Sequence, residues 1–201
     1  MFTIVIQAGG KSRRMGRDKG LVLFKDRPLI ERVINRVQNS ADELLVTTNH
    51  PENYSFLGLP MHKDIVPNRG ALGGLYTALS AASNPLVAVL ACDMPFINVA
   101  LLEYERDQMV NEPYDIVIPK TNAGLEPFHA VYRRETCLHP IKSALDARLW
   151  RVDCWFKNMK VLIIPPEQLR KYDQRLLSFL NVNTPNELKK AEQIASQIPD
   201  E

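Results

Sequence analysis

The chain is poor in cysteine. Its 201 residues hold three, Cys92, Cys137 and Cys154, widely spaced and without a C-x-x-C pair, so neither a disulfide framework nor a zinc site is indicated. No apolar run approaches membrane-spanning length, and the opening residues read as a strand without the charged head and cleavage site of a signal peptide. Repeats and low-complexity tracts are missing as well. Net charge is only +2, with 45% hydrophobic and 24% charged residues. Together these features describe a cytoplasmic globular protein with no membrane association, whose length suits one large core and a single domain over residues 1–201.

The small net charge hides an uneven distribution. The first twenty residues carry five Lys or Arg against one Asp, which leaves twenty basic and twenty-two acidic residues in the remainder. Positive charge concentrated in one loop suits a small anionic ligand and argues against a broad nucleic-acid surface. The loop runs from Gln7 through Ala8, Gly9, Gly10, Lys11, Arg13, Arg14, Gly16 and Arg17 to Lys19, after the β-branched run Phe2-Thr3-Ile4-Val5-Ile6. It therefore leaves the carboxyl end of a buried strand, and its glycines free the backbone to turn N–H groups toward a polyphosphate. A Walker A loop ending at Lys11-Ser12 would need glycine where Val5 stands, and the dinucleotide pattern Gly-x-Gly-x-x-Gly is missing.

Further along, Leu29, Ile30, Val33, Ile34 and Val37 share a helical face after Pro28, which is placed in the first turn. Leu44–Thr48 reads as a second strand, and a shorter extended piece ends at Asp64. A second glycine-rich loop, Gly70-Ala71-Leu72-Gly73-Gly74, opens a helix. Leu86–Ala91 is the most uniformly apolar run and reads as a central strand delivering Asp93 at its carboxyl end, a usual place for function in open α/β sheets. A helix is expected near 98–110, strands at 115–118, 128–132 and 161–164, and an irregular helical stretch from Arg134 to Met159. Thr184-Pro185-Asn186-Glu187 is a capping box opening a last helix. The alternation predicts a three-layer α/β sandwich with a mainly parallel sheet and an antiparallel edge contributed by residues 115–165.

Five segments carry a resemblance in the same order along the chain: Ala8–Lys19, Gly70–Gly74, Cys92–Pro95, Pro127–Tyr132 and Asn181–Pro185. Together they resemble the molybdenum cofactor guanylyltransferases of the MobA family, from residue 4 to about residue 192. The resemblance implies a GT-A-like nucleotidyltransferase fold. It also implies a magnesium-dependent reaction in which GTP and molybdopterin cofactor give the guanine dinucleotide cofactor and pyrophosphate. By position it assigns Gln7, Ala8, Gly9 and Gly10 to the nucleotide, Lys19 to its phosphates, Asp64 to the nucleotide side, and Asp93 to Mg²⁺. Gly74, in the Gly73-Gly74 pair of the guanine-using branch, joins the GTP-binding set, while Asn181 and Asn183 fall where the family engages the pterin substrate. Proteins of upstream cofactor synthesis and downstream molybdoenzyme maturation are the implied partners. The chain departs from the family pattern at Gln7, Thr47, Ala71 and Glu126.

Attack of one phosphate on another brings anions together, so such a site must neutralise charge and hold the groups in line; no general base is needed because the nucleophile is already ionised. Lys19 is the candidate for stabilising the transition state, with Arg13 on the departing pyrophosphate and Asp93 as metal anchor. Plainer readings stand beside these. Lys19 could be a surface lysine, Asp93 a helix cap before Pro95, and Asp64 a turn residue. Asn181 and Asn183 could simply shape the entry to the last helix, His129 reads as structural, and Cys92 as a buried thiol. The competing functions are a CTP-using sister nucleotidyltransferase and a nucleotide-sensing module that has lost turnover.

Overall fold

The computed structural model describes residues 1–9 and 18–198; Gly10 and Arg13, both assigned above to the phosphate loop, lie outside them. Among the described residues, one sheet contains eight strands: β1 (Phe2–Gln7), β4 (Glu43–Thr47), β5 (Met61–His62), β6 (Leu86–Ala91), β7 (Ile116–Thr121), β8 (Gly124–Leu125), β9 (His129–Arg133) and β10 (Val161–Ile164). Their order is β10-β7-β9-β6-β1-β4-β5, with β8 paired to β7. β1 lies between β4 and β6, parallel to both, and Gln7 is in register with Thr47 on one side and Ala91 on the other. Parallel strands buried on both faces are uniformly apolar, which is why Phe2–Ile6 and Leu86–Leu90 are nearly or fully shielded from solvent.

Alternation along β1 sorts the core into two layers. Phe2, Ile4 and Ile6 pack with α1 (Leu29–Val37) and α3 (Val99–Asn111), whereas Val5 packs with α2 (Gly70–Ala81) and α4 (Arg134–Asp146). Helices on both faces make the expected three-layer sandwich. Residues 115–165 do supply one side of the sheet, with antiparallel pairings, but the central antiparallel strand β9 is not itself the outermost. β9 lies inside the sheet, antiparallel to β6 in register Leu90↔His129 and antiparallel to β7, while β10 closes that side parallel to β7. Its residues Ala130, Val131 and Tyr132 are fully buried, and an apolar strand covered on both faces belongs in the interior whatever its direction.

Two local details also differ from expectation. Pro28 is the residue before α1, not part of its first turn, because Arg27–Pro28 (β3) pairs with Leu23–Phe24 (β2) across a turn in which Lys25 and Asp26 both have positive φ, 45° and 66°. That is the twist two-residue hairpins favour. The helix from Arg134 stops at Asp146, well short of Met159; it carries Pro140 inside, and the chain turns away at Arg148 with φ 59°. Half of the capping box forms at α6 (Pro185–Ala195): Thr184 accepts from the Glu187 N–H at 3.2 Å, while the Glu187 carboxylate reaches one residue further back and accepts from the Asn183 N–H at 2.8 Å. α6 packs Ala191 and Ala195 on the β2–β3 hairpin with Val182 and Phe96. A short helix, α5 (Pro166–Leu169), follows β10. None of the described helices is long and apolar enough to cross a membrane.

One polar pair sits deep in this core. Glu105 on α3 and His129 at the start of β9 are fully buried, with His129 Nδ1 3.2 Å from Glu105 Oε1. Burial pushes the Glu105 carboxyl up, His129 opposing it. Burial also works to lower His129, but the facing carboxylate outweighs it and carries the imidazole above its usual range. Both groups thus hold protons more tightly folded than unfolded, so the stability they contribute is present at lower pH and is lost as pH rises through the folded values. Melting followed by circular dichroism between about pH 5 and about pH 9 is expected to show the wild type losing stability toward the alkaline end. In Glu105→Gln the histidine loses its main raising partner and keeps only a backbone hydrogen bond and Glu126 against desolvation, so its share of this alkaline loss is expected to shrink.

Candidate active site

Parallel strands deliver their carboxyl ends to one edge of a sheet, and three of them build this site. β1 ends at Gln7 and passes into Ala8-Gly9; the Ala8 N–H donates to the Thr47 carbonyl at 2.8 Å and the Cys92 N–H to the Gln7 carbonyl at 3.2 Å. These two bonds carry the sheet ladder one step beyond the strands, so the loops after β1, β4 and β6 start from fixed positions. Asp93 follows at the end of β6. Its side chain is 9% exposed, and a carboxylate so placed is costly unless paired.

The partner is Lys19, whose Nζ lies 3.1 Å from Asp93 Oδ2. The same ammonium donates to Asn183 Oδ1. Lys19 sits at the far end of the cationic loop, in a short turn whose start is fixed by Asp18 accepting the Gly20 N–H at 3.4 Å. Behind that turn Gly20 packs against Tyr54: a Cβ there would come 2.7 Å from the phenol oxygen, so the close approach requires glycine. Asn183 comes from the segment before α6, which is held to the site because the Val182 N–H donates to the Asp93 carbonyl at 2.9 Å. A cation, a carboxylate and an amide from three distant stretches therefore share one point.

Gln7 and Gly74 meet as well. A Cβ built on Gly74 would overlap the Gln7 side-chain Nε2 and come 2.8 Å from its Cδ, so the missing side chain in α2 is what lets the Gln7 amide lie against that helix. Gln7 Oε1 and Thr47 Oγ1, side by side in register on β1 and β4, are buried without a partner among the described residues. Polar atoms left in this way at a sheet end are open to a ligand's hydrogen bonds.

Asp64 is set apart from this point. It follows β5, two strands beyond β1, and is held by Asn49: Asn49 Nδ2 donates to Asp64 Oδ2 at 2.8 Å and the Asp64 N–H donates to Asn49 Oδ1 at 3.1 Å. Asn181 turns its Nδ2 to the Phe179 carbonyl at 3.2 Å. Asn49 was not among the candidate residues, although its place directly after the second strand could have suggested it. The direct Lys19–Asn183 contact had no signal in sequence, since 164 positions separate the two.

The plainer readings are settled in part by these contacts. Asp93 does not cap α3; that role belongs to Asn98, which accepts from the Leu101 N–H at 2.9 Å. Cys92 is buried, and burial, with the neighbouring Asp93 adding to it, pushes its thiol well up, as suits an inert side chain. Among the described residues, no group of three or more His, Cys, Asp or Glu side chains converges as a metal cage. The one buried carboxylate at the node fits Mg²⁺ all the same, because that ion commonly takes one or two carboxylates and completes its shell with phosphate oxygens and water.

The MobA-like NTP transferase domain model matches residues 4–156. A probable molybdenum cofactor guanylyltransferase of Natranaerobius thermophilus is 35% identical over 191 residues, covering 93% of each chain. A molybdenum cofactor guanylyltransferase of Desulfosudis oleivorans is 32% identical over 191 residues and 94% of each chain. Among solved structures, the molybdopterin-guanine dinucleotide biosynthesis protein A of Archaeoglobus fulgidus superposes with a TM-score of 0.85 at 27% identity, covering 98% of this chain and 100% of that one. With this fold, of the GT-A-like nucleotidyltransferase type, and a matched span that takes in Gln7, Lys19, Asp64, Gly74 and Asp93, the chain belongs to the MobA-like NTP transferase family.

Proposed function

We propose that the protein transfers GMP from GTP to molybdopterin cofactor, giving the guanine dinucleotide cofactor and pyrophosphate. The observation that carries this reading is the meeting of Lys19, Asp93 and Asn183 at the carboxyl end of the sheet, in a chain similar over almost its whole length to molybdenum cofactor guanylyltransferases.

In the proposed reaction an ionised phosphate oxygen of the acceptor attacks the α-phosphorus of GTP. The new oxygen–phosphorus bond forms as the bond to the bridging oxygen breaks, and pyrophosphate leaves with that electron pair; no proton has to be removed. The Lys19 ammonium lies where it can compensate the charge spreading over the phosphoryl oxygens, and Arg13 is assigned to the leaving pyrophosphate. Asp93 would hold Mg²⁺, which supplies further positive charge to the phosphates. With nucleotide bound, Lys19 exchanges part of its contact with Asp93 for phosphate oxygens. Gln7, Ala8, Gly9, Gly10 and Gly74 are assigned to the nucleotide, with Asp64 flanking it. Asn183, already on Lys19, and Asn181 mark the pterin side. The setting is proposed to be cytoplasmic, in keeping with three free cysteines, with cofactor-synthesis and molybdoenzyme-maturation proteins as suppliers and receivers.

Thermal shift with each NTP plus Mg²⁺ should give the largest rise for GTP; a larger rise with CTP would transfer the chain to the cytidine-using class. Pyrophosphate release with molybdopterin cofactor should fall by about a hundredfold or more in Asp93→Ala, and unchanged turnover there would remove the metal assignment. Gly74→Ala is expected to fold, since the atoms it displaces are the far end of one glutamine, and to weaken GTP binding by about tenfold as measured by calorimetry.

A further inference from the structure

The buried Glu105–His129 pair is unusual for a core. Neither side chain is exposed, yet the 3.2 Å approach of Nδ1 to Oε1 is not aligned as a hydrogen bond, and Glu105 Oε2 and His129 Nε2 have no partner among the described residues. Two apolar side chains would fill the same space without the desolvation of two charges, so the pair is not accounted for by packing. Its surroundings connect it to the site.

The His129 ring lies against the ring of Phe179, with centroids 4.9 Å apart and planes inclined by 51°. Phe179 heads the segment that carries Asn181 and Asn183, and its carbonyl receives Asn181 Nδ2. On its other side His129 is in register with Leu90 of β6, and the next residue of that strand, Ala91, donates its N–H to the Phe128 carbonyl at 3.0 Å. The pair therefore lies under the corner where the end of β6, leading to Asp93, meets residues 179–183.

We infer that Glu105 and His129 are positioning residues for the acceptor side of the site: the pair seats Phe179, and Phe179 sets the register in which residues 180–183 pass Asp93 and bring Asn183 to Lys19. The kinetic consequence rests on the assignment of Asn181 and Asn183 to the pterin substrate, whereas the structural consequence does not.

Two variants test it. Glu105→Gln removes the charge while keeping the shape, and Phe179→Leu keeps the apolar volume while removing the ring, at a partly exposed position where folding is not at risk. Both are compared with Leu79→Ala, a core truncation on the opposite layer that loses stability without touching the pair. Both variants are expected to raise KM for molybdopterin cofactor by about tenfold while GTP affinity stays within about twofold. In hydrogen exchange both should speed exchange of the amides of residues 180–183 more than those of β1 and α2, which Leu79→Ala should not. Acceptor KM within about twofold of the wild type, equal losses for both substrates, or exchange raised evenly as in Leu79→Ala would overturn the inference. If the wild type binds GTP but turns over no molybdopterin cofactor, the functional reading has failed, and the exchange comparison alone decides on the seating of the segment. Should Glu105→Gln not fold, Phe179→Leu decides by the same measurements.

Discussion

A carboxylate almost out of water needs a cation, and the organisation of this active-site edge follows from how Asp93 gets one. Lys19 supplies it across 74 positions of chain, and the same ammonium reaches Asn183 across 164. Neither contact could exist unless β1 and β6 were neighbours, parallel and ending at the same height, which the register Gln7↔Ala91 provides. The central strands thus serve as a rigid ruler. Their uniformly apolar sequences hold the ends in place, and the polar groups beyond them converge.

Beside that contact, α2 and the ends of β1 and β4 bring further polar groups to the same edge of the sheet. Gly74 contributes no side chain, so the Gln7 amide can lie against α2, and two buried oxygens, on Gln7 and Thr47, have no hydrogen-bond partner among the described residues. Asp64 and Asn49 form a separate mutual pair on the β4–β5 side. The site therefore divides into a charged centre around Lys19 and Asp93 and a polar flank at Asn49 and Asp64.

Much of this was legible in the sequence, for local reasons. Strands at Phe2–Ile6 and Leu86–Ala91 announce themselves by β-branched and apolar runs, Thr184–Glu187 by a capping pattern, and Asp93 by standing just past the six apolar residues and Cys92. What was hidden is non-local. The apolar pattern of residues 129–133 is the same for an interior or an edge strand, so the place of β9 depends on which strands flank it. The pairing of His129 with Glu105 joins a strand to a helix that neither periodicity brings together, and the stretch after Asp146 looked helical because composition does not reveal a left-handed turn at Arg148. Gly10 and Arg13 belong to the recognisable loop motif but lie outside the described residues.

The joining of Lys19 to Asn183 bears on the order in which the molecule is built. During synthesis β1 and Lys19 emerge well before Asn183, which lies 164 positions further along. α6 adds a second late clamp on the same early segment, since the Lys25 N–H donates to Glu192 Oε1 at 3.2 Å and Lys25 Nζ to the Ala195 carbonyl at 3.1 Å. A nascent chain halted before residues 182–195 leave the ribosome can form the parallel strands and still lack the contacts of Lys19 with Asn183 and of Lys25 with α6.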